Sequence, residues 1–434
     1  MSDAYDAVIV GAGIIGACVA FELAKKGYKT LNLDKTAAAG AGSTGNSCAI
    51  IRVHYSTYDG AAIAHESVFY WKDWANYLGV ADEAGLARYS NVGCIVTKNP
   101  RNHELRHVCR NLSALGIPWE DWDADELVKH VPIFDAHRFW PVRRLDDPAF
   151  GAQSTATLAG AIFTPDSGYV SDPQLSTHNV MRAAEARGAK FRFKCEVTEV
   201  RRAGGRVQGV TLNGGERLDA PVVVNVAGPH SFLINRMAGV EAGMNIKTRA
   251  LRQEVAHVPS PAGFDFEKLG CVISDGDIGC YIRPEVGNNI LIGSEDPECD
   301  DLEWVDPDNF SREFSEQWQV QVYRVGQRIP SLGIPNRAKG VVDLYDVTDD
   351  WIPIYDKSDL AGFYMAIGTS GNQYKNAPVV GAMMAALIDR CESGHDHDAQ
   401  PLRFTLPHTG LTIDGGFYSR RREINRESSF SVIG

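Results

Sequence analysis

Residues 5–10 form a short apolar run. Residues 15–26 repeat their apolar positions at helical spacing, and residues 30–34 form a second apolar run. Strand, glycine-rich turn, helix and strand thus follow one another within about 30 residues, the dimensions of a βαβ unit. Further along, the spacing predicts a helix over 62–78, with Ala62, His65, Phe69, Trp71 and Trp74 close together on its surface, and another over 173–187. Between 191 and 224, short apolar stretches broken by Gly204-Gly205 and Gly214-Gly215 read as a β-meander, and 222–227 as a buried strand. Strands are expected at 251–258, 278–283 and 289–293, and a helix at 310–325. Residues 340–355 are expected to return to the first lobe, ahead of a strand at 363–368 and a helix at 376–390. Residues 393–400 read as a polar linker and 401–434 as an exposed tail.

This order gives an α/β (α+β) fold: a Rossmann-like nucleotide-binding domain interleaved with a substrate domain on a mainly antiparallel sheet. The expected boundaries are 1–90, 155–235 and 340–400 for the first domain and 91–154 and 236–339 for the second. A chain of 434 residues is long enough for two such lobes. Apolar residues at 44% and charged residues at 23% are ordinary for a globular protein. The net charge of -12 argues against nucleic acid, whose phosphates need a basic surface. Nine cysteines, an odd number with no C-x-x-C spacing, read as reduced thiols in a cytoplasmic protein, with no metal site. The apolar stretch at 7–21 is not read as a signal peptide, because Asp3 and Asp6 precede it and its glycines follow a nucleotide-binding pattern. No run is long enough to span a bilayer.

The turn after the first strand reads Gly11-Ala-Gly13-Ile14-Ile15-Gly16. Glycine at 11 permits a tight turn, at 13 a close backbone approach to pyrophosphate, and at 16 close packing of helix on strand. The phosphates then meet a helix N-terminus, whose free N–H groups and dipole favour anions. Asp34, 18 residues after Gly16, ends the next strand with Lys35 behind it. Its carboxylate suits ribose hydroxyls. With strand, helix and acid in place, dinucleotide binding is expected. The motif alone does not separate NAD from FAD, but the lack of a second cradle disfavours an NADPH-using monooxygenase.

Three further segments carry a resemblance. Residues 42–55 read Gly42-Ser43-Thr44-Gly-Asn46-Ser47-Cys-Ala-Ile-Ile-Arg52-Val-His54-Tyr. Residues 223–230 read Val-Val-Asn-Val-Ala227-Gly228-Pro-His. Residues 368–378 read Gly-Thr-Ser370-Gly371-Asn372-Gln373-Tyr374-Lys375-Asn-Ala-Pro. In order and spacing, over nearly the whole chain, these resemble the D-amino-acid oxidase superfamily. The resemblance is to its sarcosine oxidase and dimethylglycine dehydrogenase branch, most of all the β-subunits of multi-subunit sarcosine oxidases. It implies a glutathione-reductase-type FAD domain, with the residues numbered in these motifs other than Arg52 and His54, together with Val197 and Leu344, around the cofactor. It also implies that Arg52 and Lys375 hold a substrate carboxylate over the flavin, and that Tyr345 and Tyr281 line the pocket. The chemistry agrees: Arg offers a planar fork and Lys a point charge. The backbone amides of residues 370–373 could stabilise charge on the reduced flavin. His54 is a candidate for taking the amine proton. Arg283 is read as either a second anion site or a partner of Glu285 or Glu295.

Departures from the pattern carry information. Where monomeric relatives of this branch attach FAD to a cysteine, this chain has Asp343, and the small-residue loop lacks the histidine that the dehydrogenases use. FAD is therefore expected to bind non-covalently, with Cys48 and His54 near enough to leave attachment open. Leu291 stands where the oxidases have an oxygen-activating lysine, so the acceptor is either O2 or an electron-transfer partner. The leading reading is FAD-dependent oxidation of an N-methyl amino acid such as sarcosine or dimethylglycine: hydride transfer to flavin N5, then imine hydrolysis. The alternatives are a D-amino-acid, glycine or proline-type oxidase or dehydrogenase, and a flavin subunit active only in a hetero-oligomer.

Overall fold

The computed structural model describes residues 4–152 and 154–434, so Asp3 lies outside it. The apolar run before Gly11 becomes the strand Ala7–Val10, buried throughout because a parallel strand has neighbours on both edges and both faces. Thr30–Leu33 and Val222–Asn225 pair with it in parallel, Lys190–Arg192 extends one side, and Phe363–Ile367 then Ile354–Lys357 complete the other. Ile354–Lys357 is the antiparallel edge of this six-stranded sheet. Helix Ile14–Lys25 is buried from Ile14 to Ala24 because it lies between the sheet and the helices Pro173–Glu185 and Ala377–Glu392. The crossing with the last helix is tight: a Cβ at Gly381 would come within 2.7 Å of the Cys18 backbone.

A second sheet of eight strands forms the other layer. Its long member Thr248–Pro259 pairs with Gly340–Thr348 on one side and Asn289–Ser294 on the other, both antiparallel. Cys280–Glu285 and Val272–Asp275 follow, and Val272–Asp275 meets Cys94–Thr97 in the sheet's parallel pairing. Side chains alternate across this sheet. Ala256, Val258, Ile273, Ile282 and Ile292 point to one side, where they form a core with Trp318, Val322 and Val325 of helix Glu316–Arg328. Val255, Ser274, Tyr281 and Tyr345 point to the other side and line a cavity between the two sheets.

Several expectations are corrected. Residues 340–348 do not return to the nucleotide-binding layer; they pair along their length with Thr248–Pro259, and the return comes at Ile354. Ala161–Thr164, expected in the nucleotide-binding domain, pairs with Cys94–Thr97 in the larger sheet. The helix expected over 62–78 begins at Tyr58 and breaks at Asp73, whose backbone leaves helical geometry. The helix expected from 310 starts at Glu316, where Ser315 accepts the Gln317 N–H as a cap. Residues 401–434 are not an exposed tail. Arg420 is fully buried against Asp356, Asp398 and Asp359, and Arg422 pairs with Asp350 at 2.7 Å. These acids lie 20 or more residues away in sequence, so the arginine run looks solvated when read alone.

Candidate active site

The cavity holds about 560 Å³, within the range of small-molecule sites. It opens at the carboxyl ends of the parallel strands, where Val10, Leu33 and Val226 line it, as expected for an open α/β sheet. The glycine turn is built for close approach. A Cβ on Gly11 would strike the Val226 carbonyl at 2.4 Å, one on Gly16 the Gly11 carbonyl at 2.4 Å, and one on Gly13 the Thr44 hydroxyl at 2.9 Å. Asp34 ties the turn to the second strand: Oδ2 accepts from the Ala12 N–H at 2.8 Å and Oδ1 from the Thr36 N–H at 2.8 Å. Its carboxylate faces the cavity beside Lys35.

The small-residue loop lines the same cavity with Gly42, Ser43, Thr44, Asn46 and Ser47. Val197, Ala227, Gly228 and Leu344 also reach it. The Asn46 amide donates to Asp343, so the side chain at 343 is an engaged carboxylate. These residues therefore fit a dinucleotide along the whole cradle.

The turn at 368–375 closes the far end. Gly371, Asn372, Gln373, Tyr374 and Lys375 line the cavity, whereas Ser370 does not. Two of the four amides expected to face the flavin are spent internally: Ser370 donates to the Asp346 carbonyl at 2.7 Å and Asn372 to Thr369 at 2.9 Å. Asp346 also holds the turn from below, its Oδ2 accepting from the Gly368 N–H at 2.6 Å and from the Ser231 hydroxyl at 2.8 Å. Burial pushes this carboxyl up to about 7. Three distant side chains fix the turn further. Tyr55 donates to the Asn372 carbonyl at 2.8 Å, Tyr355 to Gln373 Oε1 at 2.9 Å and Trp71 to the Lys375 carbonyl at 2.8 Å.

Arg52 and Lys375 converge. The Tyr55 ring lies 4.3 Å from the Arg52 guanidinium carbon and 5.0 Å from Lys375 Nζ, within cation–π range of both. Both side chains are buried, at 7% and 2% exposed, and both line the cavity. Burial, then repulsion from Arg52, holds the Lys375 ammonium well below the usual lysine value. Lys375 Nζ donates to the Asn372 carbonyl at 2.5 Å. Arg52 donates Nη1 to the His54 carbonyl and Nη2 to the carbonyls of Val432 and Ile433, at 2.9 Å for Val432. Residues 432 and 433 therefore form part of the cavity wall, which sequence reasoning missed.

Tyr281 and Tyr345 also come together, their hydroxyls 3.4 Å apart, with Cys48 Sγ 3.5 Å from the Tyr281 hydroxyl. Both phenols are pushed upward by burial and stay neutral. Gly293 and Gly371 make room for these rings, since a Cβ at either would enter the facing ring. His54 is different. It is sealed from solvent, does not line the cavity, and has no partner for either ring nitrogen. Burial, then the charges of Arg52 and Lys375, lowers it well below the usual histidine value. Arg283 pairs with Glu285 at 2.9 Å rather than facing the cavity. Glu295, Ser274 and Gln253 do line the cavity and carried no sequence signal of their own.

The sequence model of the FAD dependent oxidoreductase (DAO) family matches residues 6–387, and the chain belongs to that family. It is an FAD-dependent oxidoreductase, and the dinucleotide its cradle fits is FAD. The glycine oxidase of Geobacillus kaustophilus is 25% identical over 413 residues, covering 91% of this chain and 96% of its own length. The sarcosine oxidase subunit beta of Rhodobacter capsulatus is 26% identical over 395 residues, covering 88% and 84%. The crystal structure of L-proline dehydrogenase from P. horikoshii shares the fold, with a TM-score of 0.75 and 20% identity over 97% of this chain and 98% of that one. No helix among the described residues is long and apolar enough to cross a membrane.

Proposed function

We propose that this protein oxidises a small amine that carries a carboxylate, an N-methyl amino acid such as sarcosine or dimethylglycine. The observation that carries the reading is the pair of buried cations, Arg52 and Lys375, beside one aromatic ring at the turn end of the cradle. Burial and repulsion from Arg52 disfavour the charged form of Lys375, and an anion bound between the two groups favours it again. Lys375 has two ammonium N–H groups beyond its bond to Asn372, enough to take one carboxylate oxygen. Arg52 shares the charge from behind, its guanidinium steadied by Val432 and Ile433.

FAD, when bound, supplies the two-electron acceptor for the substrate C–H. The chain's residues do the rest. Tyr281 and Tyr345 are neutral donors that orient the substrate and wall off water. The amides of Gly371 and Gln373, alternating with the two that are spent internally, support charge near the flavin. After oxidation, water adds to the iminium to release an aldehyde and the shorter amine. FAD is held without a covalent bond in this reading: Asp343 offers no thiol, and burial raises the Cys48 thiol, so it is a poor nucleophile. Leu291 is an apolar residue of the strand Asn289–Ser294 and supplies no cation for O2. Electrons leave to O2 with help from Lys375 or to another acceptor.

The glycine oxidase relative supports a primary-amine version of the same chemistry. Product analysis with sarcosine separates the two. Formaldehyde with glycine is expected for demethylation. Glyoxylate with methylamine would replace it by oxidation at the α-carbon, and no product from sarcosine or glycine would overturn the amine reading.

A further inference from the structure

Arginine grips a carboxylate best through a fork of two parallel N–H groups, and either fork of a guanidinium uses Nη2. In Arg52 that nitrogen is already taken by the carbonyls of Val432 and Ile433, and Nη1 donates to the His54 carbonyl. All three acceptors are uncharged, so the guanidinium keeps its positive charge at the cavity wall while its donors hold main chain. Arg52 is thus a clip on residues 432 and 433 as well as a cation.

The clipped segment is fastened on either side of the clip. Ser56 donates its N–H at 3.1 Å and its hydroxyl at 2.9 Å to the main-chain oxygen of Gly434. The Gly434 N–H returns to the Ser431 carbonyl at 3.0 Å, and the Ile433 N–H to the hydroxyl of the buried Ser431 at 3.3 Å. A Cβ on Gly434 would lie 2.4 Å from the Tyr55 ring, the ring that Arg52 and Lys375 also face. Val432 shares a small core with Leu251, Tyr281, Val347 and Trp351, and Tyr345 packs against it. Leu251, Val347 and Trp351 stand behind, whereas Val432, Tyr281 and Tyr345 line the cavity. Val432 is β-branched and so stiff at χ1. With its main chain clipped and packed residues behind it, it has no room to retreat from a ligand.

We infer that Val432, held by Arg52, is a specificity-determining residue of the substrate pocket: it limits the substituent on the substrate's α-carbon, so that amino acids of the glycine type enter and those with an α side chain are refused. The inference rests on the amine reading above. In that reading the carboxylate lies by Lys375 with the Arg52 charge behind it, and the α-carbon is one bond from the carboxylate. Val432 is bound through its own carbonyl to the same guanidinium, which places its isopropyl group at this end of the cavity. An α side chain branches from the substrate at that end, whereas a methyl group on nitrogen lies farther from the carboxylate. The wall therefore tolerates N-methyl groups and excludes α-substituents. Arg52 takes part as a positioning residue, through the main chain of 432 and 433, in addition to lending its charge.

The test is equilibrium binding of two unreactive carboxylates to the FAD-loaded protein, read from the shift of the flavin spectrum. Propanoate puts a methyl group in the place of the amine, and 2-methylpropanoate adds a second methyl group in the place of an α side chain. The wild type is expected to bind propanoate at least ~10-fold more tightly than 2-methylpropanoate, the scale on which a packed pocket weighs one carbon. Val432→Ala should bring that ratio down by ~10-fold, and Val432→Ile should widen it. The two variants move the ratio in opposite directions, so the test stands if one of them does not fold. Arg52→Lys keeps a positive charge without the planar fork of donors, and should lower the ratio as Val432→Ala does. Equal binding of the two acids by the wild type, or a ratio unmoved in the Val432 variants, would overturn the inference. Weaker binding of both acids to Arg52→Lys at an unchanged ratio would overturn the positioning role of Arg52, and no binding of propanoate would remove the carboxylate site and the inference with it. Failure of the amine reading looks different: the carboxylate ratios would hold while sarcosine and glycine leave the flavin oxidised.

Discussion

Replacing Asp346 by Asn gives a pH-resolved test of how the flavin-facing turn is held. The carboxyl is 1% exposed and accepts from Gly368 and Ser231 through one oxygen, while its Oδ1 has no partner. Burial raises it from 3.8 to about 7. Between those values the folded protein keeps a proton that the unfolded chain has lost, so stability falls as pH rises through this window. At ~1.4 kcal/mol per pH unit, the gap of roughly three units sets a ceiling of about 4 kcal/mol. The Asn side chain matches the protonated acid in shape and has no charge to bury. At pH 5, where the native group is protonated, the variant should be nearly as stable as the wild type or slightly weaker. At pH 8.5 it should be the more stable of the two, by up to that ceiling. Urea unfolding of both FAD-loaded proteins at the two pH values measures the difference directly, and Glu295 and Asp296, also raised by burial, cancel because both proteins carry them. A stability difference that is the same at both pH values would refute the reasoning.

Other perturbations follow from single contacts. Gly371→Ala places a Cβ 2.4 Å from the Tyr345 ring at a φ of +71°, so left-handed strain alone costs about 1–2 kcal/mol and FAD should bind at least ~10-fold more weakly by equilibrium titration. Lys375→Met removes a buried cation from the proposed carboxylate site, and acetate binding, read from the flavin spectrum, should weaken by ~10–100-fold, a loss of about 1.5–3 kcal/mol. Arg420→Ala removes the buried guanidinium that Asp356 and Asp398 share, and chemical denaturation should show a loss of about 3–5 kcal/mol.

The nucleotide cradle was legible because its constraints are local. Gly11, Gly13, Gly16 and Asp34 follow one another in one βαβ unit whose alternation and helical spacing mark its strands and helix, even though Gly11 and Gly13 make their closest approaches to the distant Val226 and Thr44. The meeting of Tyr281 with Tyr345, and of Arg52 with Lys375, joins residues far apart in sequence, and only resemblance to a family could bring those pairs together. Glu295 gave no signal. An acid just past the end of a strand normally faces water, and its burial depends on which face of the larger sheet meets the cavity. His54 erred in the opposite direction, a plausible base by type that the fold turns away from the cavity. The arginines at 420–422 looked solvated because their acids come from residues 350–398. The strand Gly340–Thr348 was misplaced because its apolar pattern suits either sheet, and only pairing with Thr248–Pro259 decides.

The most direct measurement is anaerobic reduction of the FAD-loaded protein by a panel of glycine, sarcosine, dimethylglycine, D-amino acids and matching 2-hydroxy acids, followed at the flavin's visible band. The account predicts bleaching by one or more amines, lost in Arg52→Ala and Lys375→Met, and none by the 2-hydroxy acids. Bleaching by a 2-hydroxy acid while every amine leaves the flavin oxidised would contradict it.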